Sequence, residues 1–424
     1  MLAHKFAAFS AKRNLHYGWV VAALTFFYIL FSSSAVSVPS VLIRPMADEL
    51  GLTIGELSAA QGARFALFGL VAPFAGGLMM RYGPRRMVAL SGLLTLLGLL
   101  LTATMTTTLQ MWLGLGILLG VAAGLTALQL NAVIASRWFT ARRGLVLGLL
   151  NGSVATGALL FLPLSAWISE HFGWRAALVP SSLGLLVMLG IFLLLITDRP
   201  QALQLAPFGE TKIPPIPPRP TGNFVLLSMQ ALRLGSGRLV FWILAATFFI
   251  CGISSYGLTQ THFVPFCGDL GLPIVASASL LSVIGVCDLI GTIGSGWLSD
   301  RYDNRALLAI YYALRGASLI WLVYSPVSLV TMLGFAVVYG LDFIATVPPT
   351  VRLTVSAFGR ESGPAVFGWI FAAHQLGVGV MAFGAGIGRD ALGTYLPAFL
   401  LAGVLCVAAA AAFAMLRRPA EALA

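Results

Sequence analysis

Four charged residues stand inside long apolar stretches of the chain: Arg64, Asp288, Arg315 and Asp342. A charged side chain in hydrocarbon costs several kcal/mol, so such residues are rare, and they line a polar cavity or pair with one another. Their formal charges sum to zero, which fits internal ion pairs as well as the binding of a charged ligand. The chemistry open to them is proton exchange by a carboxyl group and anion binding by a guanidinium group.

The two acids are predicted near the middle of their apolar segments. The proton affinity of a buried carboxyl group depends on the dielectric around it and on nearby cations. Asp288 or Asp342 can therefore take up and release a proton as a cavity opens and closes. The alternative is a structural ion pair with Arg315, which would then support the helix bundle.

Arg64 is a candidate for binding a carboxylate, because a guanidinium group holds a carboxylate through two parallel hydrogen bonds. Gln61 stands one helical turn earlier, so the two side chains share a helix face. Two alternatives remain: Arg64 extends its charge to the membrane surface, or it forms a latch to Asp288 or Asp342 in one conformation.

Neutral polar side chains in the apolar segments form a second group of candidate substrate-binding residues. Interhelical hydrogen bonds, worth roughly 1 kcal/mol or less each, are the alternative explanation for them. Within the group, His374 is also a candidate proton carrier, since its ordinary pKa lies near neutrality. The group comprises Gln129, Asn131, Asn151, Tyr256, Gln260, His374 and Gln375.

The composition indicates what kind of segment carries these residues. Of the 424 residues, 59% are hydrophobic and 9% are charged, and the mean hydropathy is +0.94. Soluble domains carry about 25% charged residues, so we expect an integral membrane protein. A membrane-spanning helix needs about 20 apolar residues. Twelve segments qualify: 17–43, 57–80, 87–107, 110–136, 144–168, 174–196, 239–265, 274–298, 306–325, 328–351, 363–388 and 393–416.

The polar stretch from Asp198 to Arg238, with its run of prolines at 214–218, is predicted to be a non-helical linker. The expected domains are a six-helix bundle at 1–197, a cytoplasmic Pro-rich linker at 198–238 and a second six-helix bundle at 239–424. With a cytoplasmic N-terminus, 20 of the lysines and arginines fall on that side and three on the other. Basic residues favour the cytoplasmic side, so both termini are expected there.

The two halves repeat at one offset of 220 residues. Pro45 corresponds to Pro265, and Gly120 corresponds to Gly340. The run Glu49-Leu50-Gly51-Leu52 matches Asp269-Leu270-Gly271-Leu272. Both halves begin on the same side, so the repeat is parallel and its axis lies along the membrane normal.

With these features, the chain resembles the major facilitator superfamily. The signature of that family, G-x-L-x-D-R-x-G-R-[RK], follows the second span of each half. The copy from Gly296 to Arg305 keeps its acid, Asp300, whereas the copy from Gly76 to Arg85 has Met80 there. We expect these loops to close the cavity at the cytoplasmic face, although the same charges also set the topology. The gate residues are Arg81, Arg85, Asp300, Arg301 and Arg305.

A finer resemblance is to the monocarboxylate porters and their bacterial oxalate/formate relatives. It is carried by Tyr17-Gly18-Trp19-Val20-Val21 and by Trp138-Phe139-Thr140-Ala141-Arg142-Arg143-Gly144. The resemblance implies twelve transmembrane helices in two pseudo-symmetric bundles of six, in the plasma (inner) membrane. It also implies secondary transport of a monocarboxylate or related organic anion, with a proton as the expected coupling ion.

Other classes of function have little support in the sequence. There is no phosphate-binding loop, no H-E-x-x-H and no paired cysteine spacing, so we expect no enzyme activity, no cofactor and no metal. The basic residues lie in short loops, which argues against nucleic acid as a partner. We expect a monomer in the bilayer with a small solute. The alternatives are an exporter of amphipathic metabolites or drugs, and a non-transporting solute sensor.

Overall fold

A computed structural model describes residues 2–13, 15–215, 223–326 and 328–415. Twelve helices within those ranges are long and apolar enough to cross a membrane, which confirms the predicted fold class. Numbered spans 1 to 12 in chain order, they are Tyr17–Val41, Ile54–Tyr82, Pro84–Ala103, Thr108–Trp138, Arg143–Phe172, Trp174–Leu195, Leu239–Asp269, Ile274–Ser299, Asn304–Tyr324, Leu329–Gly359, Ser362–Leu392 and Leu396–Met415.

Short connections join successive spans within each half, and the linker joins spans 6 and 7, so the bundle has two ends. We call the end where span 1 begins, at Tyr17, and span 12 ends, at Met415, the terminal face. The other end, with Val41 and Leu396, is the far face.

Local sequence signals begin and end these helices. Thr53 and Glu56 form a capping box at the start of span 2, each side chain bonded to the other residue's backbone N–H. Span 2 ends at Gly83, whose φ of 86° is accessible mainly to glycine, and Pro84 then begins span 3. The predicted span ends lie within a few residues of the observed ones, except that span 10 continues beyond 351 to Gly359.

The linker differs from its prediction, because Phe224–Ser236 is a helix of 13 residues. The prediction of a helix-free linker was wrong since it extended the effect of the prolines too far along the chain. The last proline before this helix is Pro220, and the Asn223 side chain caps the helix by accepting from the Val225 N–H. The prolines at 217–218 lie outside the described residues. We call Phe224–Ser236 the linker helix.

The 220-residue repeat has a geometric counterpart between spans 2 and 4 and between spans 8 and 10. A methyl group added at Gly120 would lie 2.6 Å from the backbone oxygen of Arg64. A methyl group added at Gly340 would lie 2.8 Å from the backbone oxygen of Ile284. Gly340 and Ile284 are each 220 residues after their counterparts, so the same glycine-to-backbone contact occurs in both halves. The residue equivalent to Arg64 is an apolar isoleucine.

Spans 2 and 11 form a close contact between the halves. A methyl group at Gly62 would lie 2.7 Å from the Gly379 oxygen, so only glycine allows this approach. Nearer the terminal face, Phe74 and Trp369 meet edge to face at 5.8 Å. The linker helix lies on the same two spans, with Ser228 Oγ donating to Pro73 O and Trp369 Nε1 donating to Ser228 O.

Spans 4, 7 and 10 depart from regular α-helix near candidate residues. Spans 4 and 7 contain π-helical segments, Trp112–Leu118 and Ile253–Gln260, and such segments are frequent at functional sites. Span 10 is interrupted at residues 343–346, directly before Pro348 and Pro349. These departures lie close to several of the candidate polar residues.

Candidate functional site

Arg64 is buried in span 2, with 2% of its surface exposed. Its guanidinium carbon lies 4.4 Å from the centre of the Phe65 ring, and Nη1 donates to the Val36 carbonyl of span 1 at 2.5 Å. Its Nε has no hydrogen-bond partner. Within the described residues, no carboxylate lies within 4 Å of this guanidinium. The charge is therefore not extended to a membrane surface, and in this conformation it is not latched to Asp288 or Asp342.

Gln61 is equally buried, and neither its amide nitrogen nor its amide oxygen has a partner. A buried amide group left unpaired is costly, so such groups are uncommon in native structures. The Gln61 amide and the Arg64 Nε–H, neither with a hydrogen-bond partner, thus lie one turn apart on span 2. Together they can donate to an anion and also accept from a hydroxyl group.

Arg315 contrasts with Arg64, because its charge is fully partnered. Nε donates to the Asp342 carboxylate at 2.7 Å, and Nη2 donates to the backbone oxygens of Asp342 and Phe343. Nη1 donates to Cys251 Sγ at 2.9 Å. This ion pair joins spans 9 and 10 inside the second half, where Arg315 is completely buried.

Asp288 makes a different contact with span 10. Its Oδ1 accepts from the backbone N–H of Ile344 at 2.9 Å and from the Thr292 hydroxyl at 3.1 Å. The second acid, Asp342, keeps Oδ1 without a partner while Oδ2 binds Arg315. Both acids therefore lie at the interruption of span 10. Asp342 is the last residue before it, and Asp288 of span 8 binds a backbone N–H within it.

The neutral candidates fall into two groups, one in each half. Asn131 Nδ2 donates to Asn151 Oδ1 at 2.7 Å, which joins spans 4 and 5, and Asn131 Oδ1 remains unpaired. Gln129 lies against span 2, since a methyl group at Gly76 would be 3.5 Å from its Oε1. In the second half, Gln260 ends the π-helical segment of span 7 and is partly exposed.

His374 of span 11 is enclosed by aromatic rings. Its ring centre lies 4.7 Å from that of Phe248 and 5.8 Å from that of Phe371, which stacks parallel to it. Tyr256 of span 7 is 6.3 Å away. Nδ1 of His374 has no partner, and neither does Oε1 of the neighbouring Gln375. The structure thus brings Tyr256, His374 and Gln375 close to the contact between spans 2 and 11.

The far face is closed by contacts between the two halves. Asp269, at the end of span 7, accepts from Arg44 of the first half at 2.9 Å and from Arg389 of span 11 at 3.1 Å. Asp390 accepts from the backbone N–H of Gly55 in span 2 at 2.7 Å. Sequence reasoning did not select these residues, although Asp269 lies in the repeated Asp-Leu-Gly-Leu segment.

Spans 5 and 8 meet towards the far face and separate towards the terminal face. Ser282 Oγ donates to the Ala158 oxygen, and a methyl group at Gly152 would lie 3.7 Å from Leu289. One turn further along the same face of span 5, a methyl group at Gly148 would meet no atom within 4 Å. The same holds for Gly296, two turns beyond Leu289 in span 8. At these two glycines, towards the terminal face, spans 5 and 8 are therefore not in contact.

A family model described as the Major Facilitator Superfamily matches residues 21–382. The chain belongs to the major facilitator superfamily. It is therefore a multi-pass membrane transporter and not an enzyme, as expected. The contacts of Gly120 with Arg64 and of Gly340 with Ile284 lie at equivalent positions in the two repeated halves.

Curated relatives agree with the finer resemblance. Monocarboxylate transporter 13 of Bos taurus is 30% identical over 342 residues, which cover 79% of this chain and 74% of the relative. The uncharacterized transporter YhjX of Escherichia coli is 24% identical over 82% of each protein. The predicted resemblance to monocarboxylate porters and their bacterial relatives is confirmed.

Solved structures of the superfamily share the fold. A mutant of the nucleoside transporter NupG superposes with a TM-score of 0.73 at 14% identity, covering 94% of this chain and all of that one. A bacterial homolog of the human lysosomal transporter Spinster, solved in an inward-facing, unoccupied conformation, gives 0.67 at 16% identity and covers 94% and 95%.

The superfamily signature loops lie at the terminal face. Asp300 forms an ion pair with Arg352 of span 10, a residue that sequence reasoning did not select. Arg305 pairs with Asp303, and Arg301 lies 4.1 Å from the Trp297 ring centre. In the first half, Arg81 lies over the Tyr82 ring, and Arg85 donates to the Leu193 oxygen at 2.6 Å. Because Asp303 caps span 9 and accepts from the Arg305 N–H, Arg305 is held by a local acid.

Proposed function

We propose that this transporter moves a monocarboxylate or related organic anion by alternating access, with the carboxylate bound at Arg64, and that proton movement drives the transport. The observation that carries the proposal is the difference between the two buried arginines. Arg315 has a carboxylate partner at 2.7 Å, whereas Arg64 has none among the described residues.

An uncompensated charge in the interior is costly, and an ion partner within hydrogen-bonding distance offsets that cost. The Val36 carbonyl and the Phe65 ring compensate only part of the Arg64 charge. The unpaired Nε supports binding of one carboxylate oxygen, with a terminal nitrogen binding the other. The solute would then supply the missing negative charge.

The surroundings of Arg64 favour a small acid with an apolar body. Phe65, the next residue, packs with Val378 and Ala382 of span 11, beside Phe68 and Tyr256. Gln61 supplies an unpaired amide for a hydroxyl or keto group. A short carboxylic acid with an apolar chain or one further oxygen matches this combination of groups.

Proton coupling is assigned to the second half. Asp342 Oδ1 and His374 Nδ1 are both buried and unpaired, so each has a position at which a proton can be held. The acid partner of Arg315 and this histidine are therefore the proposed proton carriers, together with Asp288. The first half would bind the anion.

We assign the terminal face to the cytoplasm, because the topology predicted from the sequence puts 20 lysines and arginines on the side of the N-terminus and three on the other. Both termini and the linker are then cytoplasmic, and the plasma membrane of a bacterium is the proposed location. The bundles at 1–197 and 239–424 are the proposed domains. The far face would be closed and the cytoplasmic side accessible in the conformation described here.

The test is uptake of labelled lactate, pyruvate and acetate into proteoliposomes, with and without an inward proton gradient. Arg64→Gln should abolish gradient-driven uptake of any acid that the natural protein carries. Arg175→Gln, an arginine of the far face, is the matched control and should transport normally. Absence of gradient-driven flux of every acid, with flux of amphipathic cations instead, would contradict the proposal and favour an exporter of amphipathic compounds.

A further inference from the structure

The interruption of span 10 has a local cause in the sequence. Residues 343–346 separate the helix Leu329–Asp342 from the helix that begins at Val347. Pro348 and Pro349 follow at once, and a proline inside a helix has no N–H and its ring collides with the carbonyl four residues earlier. Close to the middle of the span, the Phe343 and Ala345 carbonyls and the Ile344 N–H have no backbone partner in the described part of the chain. The Asp342 and Ile344 carbonyls, in contrast, accept from the Ala345 and Val347 N–H groups.

Carbonyl groups at the interruption are bound from two neighbouring spans. Arg315 of span 9 donates through Nη2 to the backbone oxygens of Asp342 at 2.5 Å and of Phe343 at 2.9 Å. Ser295 of span 8 donates to the backbone oxygen of Ala345 at 2.5 Å. A cation thus lies at the C-terminal end of the first helical part, where the helix dipole favours it.

The freed backbone N–H group of Ile344 is bound by one carboxylate. Asp288 Oδ1 accepts from it at 2.9 Å, and the Thr292 hydroxyl donates to the same oxygen at 3.1 Å. Asp288 belongs to span 8, so this cap is not part of span 10 itself. Its negative charge lies near the N-terminal end of the helix that begins at Val347, where an anion is favourable.

The two parts of span 10 are held differently. The first part packs closely against span 8, since a methyl group at Gly291 would collide with the Leu341 backbone oxygen. The second part ends at the terminal face, where Arg352 pairs with Asp300 and both side chains are about half exposed. The second part is therefore the one that can swing.

We propose that residues 343–346 are a hinge in span 10 and that Asp288 is its releasable cap. A charged Asp288 accepts the Ile344 N–H and fixes the angle between the two parts. A protonated Asp288 carries a hydrogen on one oxygen and accepts more weakly, so the cap is released and the second part moves at the terminal face. The inference rests on the proposed proton coupling and specifies what the proton controls.

Several charged or titratable groups face Asp288 and set when it takes up its proton. Arg315 of span 9 and Asp342 of span 10 are the charged groups among them. Cys251 and Tyr256 of span 7 complete the surroundings. Asp288 is partly exposed, whereas Arg315 and Asp342 are buried.

Hydrogen exchange of the natural protein in lipid nanodiscs, without solute, tests the hinge by itself. Asp288→Ala removes the cap and should accelerate exchange at 344–347 about fivefold or more. Asp288→Asn is neutral like the protonated acid, so it should exchange at 344–347 faster than the natural protein at neutral pH. Asn223→Ala, which removes the cap of the linker helix, is the matched control and should leave 344–347 unchanged.

The pH dependence separates a hinge from a fixed kink. After correction for intrinsic exchange, the natural protein should show a pH-dependent step at 344–347 that Asp288→Asn lacks. A step that persists in Asp288→Asn overturns the proposal, even where Asp288→Ala does not fold. Equal exchange in the natural protein and Asp288→Ala also overturns it. Either result leaves anion transport through Arg64 intact, whereas a lack of anion flux with the expected exchange would refute only the proposed function.

Discussion

The backbone N–H of Gly55 in span 2 donates to the Asp390 carboxylate of span 11, at 2.7 Å. Each half of the protein contributes one partner, so the start of span 2 is capped by the other half. Asp269, held by Arg44 and Arg389, adds a second bridge at the same face. The far face is thus closed by a few polar contacts that must break when it opens.

Asp269→Asn should shift the population towards a conformation that is open at the far face. Exposed ion pairs contribute about 0.2–1 kcal/mol each, so the loss of two should change the ratio of closed to open molecules roughly two- to thirtyfold. Spin labels at Asp48→Cys and Ala391→Cys, with the native cysteines replaced, report the distance across this face. Glu49→Gln is the control, because its ion pair with Arg175 lies within the first half. An equal shift in both variants would contradict the assignment.

Gly120→Ala should weaken anion binding, since the added methyl group would lie 2.6 Å from the Arg64 oxygen and displace that residue. Gly340→Ala is matched by the repeat, because its methyl group would lie 2.8 Å from the Ile284 oxygen. Both variants should lose similar thermal stability. Only Gly120→Ala should raise the dissociation constant of the transported acid, which titration calorimetry in detergent measures. Equal effects on binding would mean that Arg64 is not the anion site.

Arg315→Met should destabilise the protein strongly, because it leaves the Asp342 carboxylate buried without its partner. Breaking a buried ion pair from one side costs about 3–5 kcal/mol. The double variant Arg315→Met/Asp342→Leu should recover much of the lost thermal stability. Ser91→Ala serves as the control: its hydroxyl donates from span 3 to the Ala122 oxygen of span 4, and its removal should cost only about 1 kcal/mol. No recovery in the double variant would show that Arg315 acts through its backbone contacts instead.

Asp342→Asn should separate transport from its driving force. The variant cannot release a proton from this site, so proton-driven uptake should be abolished while exchange of labelled for unlabelled solute continues. Both fluxes are measured in the same proteoliposomes. Unchanged driven uptake would remove Asp342 from the coupling mechanism.

Hydropathy was sufficient to predict the twelve spans, because a bilayer imposes one length on every crossing segment. The repeat was visible for a related reason, since Gly120 and Gly340 make the same close contact in both halves. The linker helix was missed, because proline composition over the whole linker hid the short capped segment that follows Asn223.

The candidate residues were predictable by type and span, but their partners were not. A charge in an apolar segment identifies Arg64 and Arg315 equally, and only the folded chain distinguishes the paired guanidinium from the unpaired one. Likewise, Asp288 binds a backbone N–H that exists as a free donor only because span 10 is interrupted. The contact of Asp300 with Arg352 joins residues 52 positions apart, which no local pattern reveals.

The linker helix has a consequence for the shape of the path. It contacts Pro73 of span 2 and Trp369 of span 11, so the two halves stay joined on that side of the terminal face. Spans 5 and 8 have no such tie where Gly148 and Gly296 lie. We therefore expect the width of the opening at the terminal face, and with it the largest solute that passes, to depend on the distance between spans 5 and 8.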